Sequence, residues 1–113
     1  MVTKKYTPER GDIVWLDLNP SKGHEQKGSR PAFVISPKIY NAKTGLALVC
    51  PVTSQSKGYS FEVALSFSST IGVILADHVR SVDWKERHAR YIETVSESTV
   101  DEVEQKLLAL ISR

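Results

Sequence analysis

The chain has 113 residues, 41% of them hydrophobic and 25% charged, which are ordinary values for one globular domain. No stretch approaches the ~20 apolar residues of a membrane span, and the N-terminus lacks the apolar core of a secretory signal. The single cysteine, Cys50, cannot form an internal disulfide, and its apolar neighbours predict a buried thiol. We therefore expect one domain over residues 1–113 that works in the cytoplasm.

The net charge of +2 is unevenly distributed. Residues 1–60 carry nine Lys or Arg and four Asp or Glu, giving +5, whereas residues 61–113 carry six and nine, giving −3. A basic first half can supply a surface for a polyanion, but in so short a chain the imbalance alone also fits chance.

The first part of the chain contains two apolar segments on either side of a long polar one. After a polar and loosely held arm at residues 1–10, the strand formers of DIVWLDL predict a strand over Asp12–Leu18. The apolar run AFVIS predicts a second, buried strand over Ala32–Ser36. Residues 38–45 contain an Asn and a Gly that are typical of turns.

The next segments are short strands joined by polar turns. A third strand is predicted over Leu46–Pro51 and continues through Val52 and Thr53, and its proline favours an edge or a bulge. Alternation of apolar and polar residues predicts a half-exposed strand over Ser60–Ser66. Further strands are predicted at positions 72–76, 77–82 and 91–95, with a polar link at 83–90.

The C-terminal tail has the one strong helical pattern. Its apolar residues lie on one face at spacings of three and four, and these are Val100, Val103, Leu107, Leu110 and Ile111. Thr99 and Glu102 predict a capping box at its start. Six or seven short strands with one terminal helix give a mainly β domain. A small bent barrel would close these strands without exposed edges, and an open two-layer sheet is the alternative.

The long polar segment from Asn19 to Pro31 is the first candidate site. Its thirteen residues include two Pro, two Gly and two Ser, which predicts a loop. A simple chain reversal needs only about two to five residues, so this loop is longer than a turn requires. It carries five ionisable side chains, Lys22, His24, Glu25, Lys27 and Arg30. A solvated hairpin loop explains these charges as well as a binding loop does.

The sequence lacks the common signatures of metal and cofactor sites. His24, His78 and His88 are far apart, and no His or Cys pair has the spacing of metal ligands, so we expect no structural zinc. A phosphate-binding glycine loop, a dinucleotide fingerprint and a nucleophile elbow are also missing from the sequence.

The remaining candidates are an acid or base, cations and hydroxyls. Glu25 can accept a proton, and Arg30 can hold a phosphoryl group with two hydrogen bonds. A second polar loop offers Lys57 and the hydroxyls of Thr53, Ser54 and Ser56. If the two loops meet, this set suits attack of an RNA 2′-hydroxyl on its neighbouring phosphate, because RNA brings its own nucleophile. Isolated solvated charges are the alternative interpretation.

Four segments together resemble the MazF/PemK toxins, the ribonuclease halves of bacterial toxin–antitoxin pairs. They are RGDIVWLDLNPSKGHEQKGSRPAFVISP at 10–37, YNAKTG at 40–45, CPVTSQSKGYSFEVAL at 50–65 and GVILADHVRSVDW at 72–84. The family's pattern Pro-x-x-Gly-x-Glu-x-x-Gly-x-Arg-Pro falls on Pro20, Gly23, Glu25, Gly28, Arg30 and Pro31. The similarity is strongest to the MazF branch.

The resemblance implies a fold, an activity and partners. The fold is an SH3-like barrel of the CcdB/PemK type with a C-terminal helix, and the protein is a homodimer in the bacterial cytoplasm. The activity is cleavage of single-stranded RNA, often mRNA, at a short sequence without metal or cofactor, which inhibits translation and growth. The products are a 2′,3′-cyclic (or 3′) phosphate and a 5′-hydroxyl. The partner is an antitoxin whose acidic, flexible tail lies across the RNA groove.

The resemblance also implies site residues. The catalytic residues of the family fall on Arg30, Glu25 and Thr53, and the lysine of its second loop falls on Lys57. Further RNA contacts are expected from the polar residues of both loops, which are Lys22, His24, Lys27, Ser54, Gln55 and Ser56. The division of acid and base roles between Glu25, Arg30 and His24 stays open. Some relatives place a second catalytic pair at 77–80, which here is Asp77-His78-Val79-Arg80.

Two other functions fit the same scaffold. A non-catalytic toxin would bind a protein target, and DNA gyrase is the known case among related barrels. Glu25 and Arg30 argue against it, because protein binding needs no such pair. A plain RNA-binding barrel would bind RNA in a salt-dependent way and release no products. The strands around Val49 and the C-terminal helix are the candidate dimer interfaces.

Overall fold

The structure is a computed structural model that describes residues 5–18, 28–65 and 70–113. Within these ranges the chain forms seven strands and two helices. The strands are β1 Asp12–Asp17, β2 Ser29–Val34, β3 Leu46–Thr53, β4 Glu62–Ala64, β5 Val73–Leu75, β6 Arg80–Asp83 and β7 Arg90–Thr94. The helices are α1 Lys38–Thr44, between β2 and β3, and α2 Glu97–Ile111 at the C-terminus. The prediction of a mainly β domain with a C-terminal helix is confirmed.

The strands form one antiparallel sheet that branches at β3. The order is β4-β5-β3-β2-β1-β7, and β6 also pairs with β3. One edge of β3 pairs with β2, while the other edge pairs with β6 over Leu46–Val49 and then with β5 at Val52 and Thr53. Pro51 lies where β3 changes partner, a place where the missing N–H of proline interrupts no continuous ladder.

Both faces of the central strands are buried. One cluster lies towards α2 and includes Ile13, Phe33, Cys50, Val63, Ile74 and Val103. The second cluster lies on the opposite face and includes Val14, Ala32, Val34, Val49, Val82 and Trp84. Because neighbouring residues of β1 and β2 enter different clusters, their apolar runs are continuous rather than alternating. Val49 is only 3% exposed, so it is core and not a surface for a dimer.

The two helices differ from their predictions in how they begin and end. The segment 38–45, predicted as a turn, is helix α1, and it ends at Gly45, whose φ of 75° suits a left-handed C-terminal cap. Helix α2 is confirmed, but its N-cap is Ser96 rather than Thr99. The Ser96 hydroxyl accepts from the Thr99 N–H at 3.3 Å.

The predicted loose arm is wrong for residues 5–10. Pro8 is fully buried, and its carbonyl accepts a hydrogen bond from the Asn41 side chain at 2.8 Å. The Tyr6 hydroxyl donates to Asp12, and burial together with that carboxylate raises the pKa of Tyr6 above its usual value. The arm is therefore held by α1 and β1, because Asn41 and Asp12 supply buried polar partners.

Candidate active site

Arg30 is placed by a strand rather than by a loop. The predicted loop extended to Pro31, but β2 begins at Ser29, and Arg30 pairs with Leu16 of β1. Pairing fixes the backbone of Arg30 on a sheet whose opposite face is packed core. The guanidinium is on the exposed side and makes no hydrogen bond or ion pair with another residue in the described ranges. A cation held on a rigid strand in this way is available to an anionic ligand.

The Arg30 hollow is a depression of about 410 Å³ in front of β2 and β3. Its walls are apolar, from residues such as Leu16, Pro31 and Val82, and its charged residues are Arg30, Arg80, Arg87 and Asp17. Arg80 comes from β6 and Arg87 from the turn before β7. A hollow lined by three arginines favours a phosphate, because one guanidinium group can donate to two phosphate oxygens at once.

The Lys57 hollow lies next to it and has a volume of about 630 Å³. Its lining includes Gln55, Lys57, Tyr59 and His78, and the two hollows share Thr53 and Leu75. The two hollows therefore adjoin, and together we call them the groove. Arg30 and Thr53 line the first hollow, and Thr53 and Lys57 line the second. The predicted meeting of the two loops stays a prediction, because residues 19–27 of the first loop lie outside the described residues.

Thr53 stands at the junction of the two hollows. Its Oγ1 accepts a hydrogen bond from the Gln55 N–H at 3.1 Å, which leaves the hydroxyl proton free to be donated. Gly72 allows this placement, because its φ is 137° and a Cβ there would meet the Thr53 carbonyl oxygen at 2.4 Å. A glycine at 72 thus lets β5 approach β3 closely where the two hollows join.

Glu62 organises the second loop. Its carboxylate accepts from the Ser56 hydroxyl at 2.8 Å, the Lys57 N–H at 2.7 Å and the Gly58 N–H at 3.0 Å. The hydrogen bond from the Lys57 backbone is the main reason that the pKa of Glu62 is below its usual value of 4.5. In the sequence, Glu62 lies on the polar side of a predicted strand, and nothing in that pattern indicates this role.

Replacing Glu62 with Gln should loosen the second loop. Gln keeps the shape but offers one carbonyl oxygen instead of two carboxylate oxygens. One of the two oxygens that now accept from Ser56, Lys57 and Gly58 is therefore lost as an acceptor. We expect faster amide hydrogen exchange at Lys57 and Gly58 and several-fold weaker RNA binding. In the wild type, the stabilisation from these contacts is fully present above pH 4.5, the usual pKa of the carboxyl group. It is lost as the pH falls through the lowered pKa that Glu62 has in the folded protein. Asp101→Asn on the exposed face of α2 is the control, and unchanged exchange in Glu62→Gln would refute the role.

The segment 77–80 contributes to the groove through two residues. His78 lines the Lys57 hollow and Arg80 the Arg30 hollow. Asp77 instead accepts from the Tyr59 hydroxyl at 2.9 Å and lies 3.7 Å from His78 Nε2. Asp77 therefore acts as a support for Tyr59 and His78.

The remaining predicted site residues fall into two groups. Ser54 and Ser56 are exposed in the second loop without lining either hollow, and the Ser56 hydroxyl is used by Glu62. Four residues lie outside the described ranges, which are Lys22, His24, Glu25 and Lys27. Their proposed roles stay predictions. Arg87 and Asp17 were not predicted as site residues, because they reach the groove from a predicted polar link and from the end of a predicted strand.

Three further observations concern the described ranges. No group of three or more His, Cys, Asp or Glu side chains within them could hold a metal ion. None of the helices found there is long and apolar enough to cross a membrane. Burial raises the pKa of the Cys50 thiol to about 12, so this thiol is not a nucleophile.

Fold and groove together define a small, mainly β protein with a basic groove, and the comparisons with known proteins identify its family. A family model described as PemK-like, MazF-like toxin of type II toxin-antitoxin system matches residues 9–111. The chain belongs to this family, as the sequence resemblance predicted.

Individual relatives agree with this assignment. The chain is 46% identical over 110 residues to the endoribonuclease toxin MazF of Escherichia coli strain K12, covering 97% of this chain and 99% of that protein. The crystal structure of MazF from Deinococcus radiodurans matches with a TM-score of 0.84 and 47% identity over 96% of this chain and 100% of that chain. MazF in a MazE–MazF complex from the same organism matches with a TM-score of 0.87 and 48% identity, over 95% and 97% of the two chains. The predicted fold type is confirmed.

Proposed function

We propose that the groove cleaves single-stranded RNA by moving a backbone phosphate onto the neighbouring 2′-oxygen. As a member of the MazF family, the chain is the endoribonuclease toxin of a type II toxin–antitoxin pair. The observation that supports this chemistry most strongly is the grouping of Arg30, Arg80, Arg87 and Thr53 around one groove. A groove with these groups can bind a phosphate and stabilise extra charge on it.

The reaction forms one bond and breaks one. The 2′-oxygen attacks phosphorus, its proton passes to a base, and the bond from phosphorus to the 5′-oxygen breaks as that oxygen takes up a proton. The products are a 2′,3′-cyclic phosphate, which water can open to a 3′ phosphate, and a 5′-hydroxyl. Because the nucleophile belongs to the RNA, the protein needs only to position the phosphate, move protons and stabilise charge.

Each role goes to a residue with suitable chemistry. Arg30 stabilises the pentavalent phosphorane, since its planar fork can donate two parallel hydrogen bonds to phosphate oxygens. Thr53 donates its free hydroxyl proton to a phosphate oxygen, and Lys57 holds the strand in the second hollow. Glu25 takes the proton from the 2′-hydroxyl. His24 and Arg30 are the groups that can supply the proton for the 5′-oxygen.

We also propose a homodimer in the bacterial cytoplasm that an antitoxin inhibits. The end of α2 exposes Leu108, Leu110 and Ile111, of which Ile111 is 68% exposed, and a second copy would cover them. The matching MazE–MazF complex supports an antitoxin partner for this chain. The basic groove would attract an acidic, flexible antitoxin tail, which would compete with RNA for the same cations.

Cleavage of a long mixed-sequence RNA by the purified protein in excess EDTA tests the proposal. We expect discrete cuts at one shared short sequence, at an unchanged rate with and without the chelator. Sedimentation of the same preparation should give twice the 12.6 kDa mass of one chain. Intact RNA with folded protein would contradict the proposal and favour a toxin that binds a protein target such as DNA gyrase. Loss of cleavage in EDTA would contradict the metal-free mechanism.

A further inference from the structure

A network of hydrogen bonds and ion pairs links the β1–β2 hairpin to the start of β7 and the turn before it. Asp17, the last residue of β1, accepts from the Ser29 hydroxyl at 3.0 Å and from an Arg90 guanidinium nitrogen at 3.1 Å. His88 Nδ1 lies 2.8 Å from the other oxygen of Asp17. A second Arg90 nitrogen donates to the Ser29 hydroxyl at 2.9 Å. We call Asp17, Ser29, His88 and Arg90 the hairpin clamp.

The backbone of the turn joins the same clamp. The Asp17 N–H donates to the Arg87 carbonyl at 2.8 Å, and the Arg87 guanidinium donates to the Asp17 carbonyl at 3.1 Å. Arg90 also donates to the His88 carbonyl at 2.7 Å. Every member of the clamp therefore contacts at least one other member. The His88 contact is the largest cause of the pKa of Asp17 being below its usual value of 3.8, so the carboxylate is charged at neutral pH.

His88 has an unusual backbone that places its side chain in the clamp. Its φ is 51°, and it is the one non-glycine residue with positive φ in the described ranges. This left-handed conformation disfavours side chains that carry a Cβ, and such strain persists where surrounding contacts fix it and often serves function. A glycine would fit the turn more easily, so the imidazole itself accounts for a histidine at this position.

His88 acts on the groove through its clamp partners rather than by direct contact. Ser29 pairs with Asp17 and directly precedes Arg30, which pairs with Leu16. Asp17, Arg30 and Arg87 all line the Arg30 hollow, whereas His88 does not. We propose that His88, through Asp17 and Arg90, is a positioning residue that fixes Arg30 and Arg87 for RNA cleavage.

This proposal rests on the proposed cleavage activity and predicts a defect in the chemical step. A guanidinium displaced by a fraction of an ångström still binds phosphate but stabilises the transition state less well. We expect His88→Gly to lower kcat by roughly 10-fold with KM little changed. Its thermal midpoint should stay close to that of the wild type, because relief of the positive φ offsets the lost contact with Asp17.

His88→Asn is the conservative variant that should restore activity. Asparagine tolerates the left-handed conformation, and its amide nitrogen is as many bonds from the backbone as His88 Nδ1, so it can donate to Asp17. We expect kcat close to the wild-type value. The double variant Asp17→Asn with His88→Gly should have a kcat only slightly below that of the less active single variant, because both substitutions break the same contact. Glu86→Gln, in the same turn but outside the clamp, is the matched control.

The experiment is steady-state cleavage of one RNA substrate by the wild type, these variants and the control, with a thermal melt of each protein. Lower kcat in His88→Gly, unchanged melting and recovery in His88→Asn support the clamp. A wild type that cleaves while His88→Gly has the same kcat overturns the clamp and leaves the proposed function in place. A folded wild type that cleaves no RNA overturns both. A fall in kcat that follows a fall in the melting temperature overturns positioning in favour of plain stability.

Discussion

Arg30→Ala should lower kcat for RNA cleavage by roughly 10²–10³-fold, the range found when one donor to a developing negative charge is removed. Arg30 is exposed at the start of β2 and has no partner within the described ranges, so the loss of its side chain should hardly affect the fold. We expect the free energy of unfolding to change by no more than about 0.5 kcal/mol. Single-turnover cleavage with saturating protein measures the chemical step directly.

Arg30→Lys separates charge from geometry. Lysine keeps the positive charge but lacks the planar fork that binds two phosphate oxygens together. We expect Arg30→Lys to recover RNA binding more fully than kcat. Full activity of Arg30→Ala would refute the proposed role of this residue, and equal activity of the Lys variant and the wild type would refute bidentate binding.

Phe33→Ala should destabilise the protein by roughly 3–5 kcal/mol, a typical cost for removing a buried phenyl ring. Phe33 is 0% exposed and lies in the cluster between the central strands and α2, with Ile13, Cys50 and Val103. Since domains of this size are stable by only about 5–15 kcal/mol, the loss is a large part of the total. Urea unfolding followed by circular dichroism, at one protein concentration, measures it.

Ile71→Ala is the matched control for this core substitution. Ile71 is 84% exposed, so removing its side chain should change the free energy of unfolding by no more than about 0.5 kcal/mol. A loss below about 1 kcal/mol in Phe33→Ala would contradict the proposed core between the sheet and α2. The two variants together distinguish burial from hydrophobicity as the source of stability.

The strands were largely predictable because their signal is local. The apolar runs of β1 and β3 and the spacing of Val100, Val103 and Leu107 in α2 reflect burial that repeats along the chain. Helix α1 was missed because it has seven residues and its Asn41, typical of a turn, is fully buried as a hydrogen-bonding residue. The start of α2 was misplaced because Ser96, Ser98 and Thr99 are all suitable N-caps.

Site residues that belong to a sequence motif were predictable, whereas those defined by contacts between distant segments were not. Arg30, Thr53 and Lys57 were identified from the resemblance, and all three line the groove. The contact of His88 with Asp17 joins residues 71 positions apart, and no periodicity or spacing indicates such a pair. Glu62 was missed for a related reason, because its role depends on three hydrogen-bond donors in the second loop that the folded chain brings next to its carboxylate.

The most direct measurement is the end chemistry of the products from an RNA that contains one cleavage sequence, compared with the same RNA carrying a single 2′-deoxy nucleotide at the cleaved position. We predict a 2′,3′-cyclic phosphate and a 5′-hydroxyl from the first RNA and no cleavage of the second, which should still bind with similar affinity. These results would establish the 2′-hydroxyl as the nucleophile. Cleavage at the deoxy position, or products with 5′-phosphate ends, would contradict the mechanism.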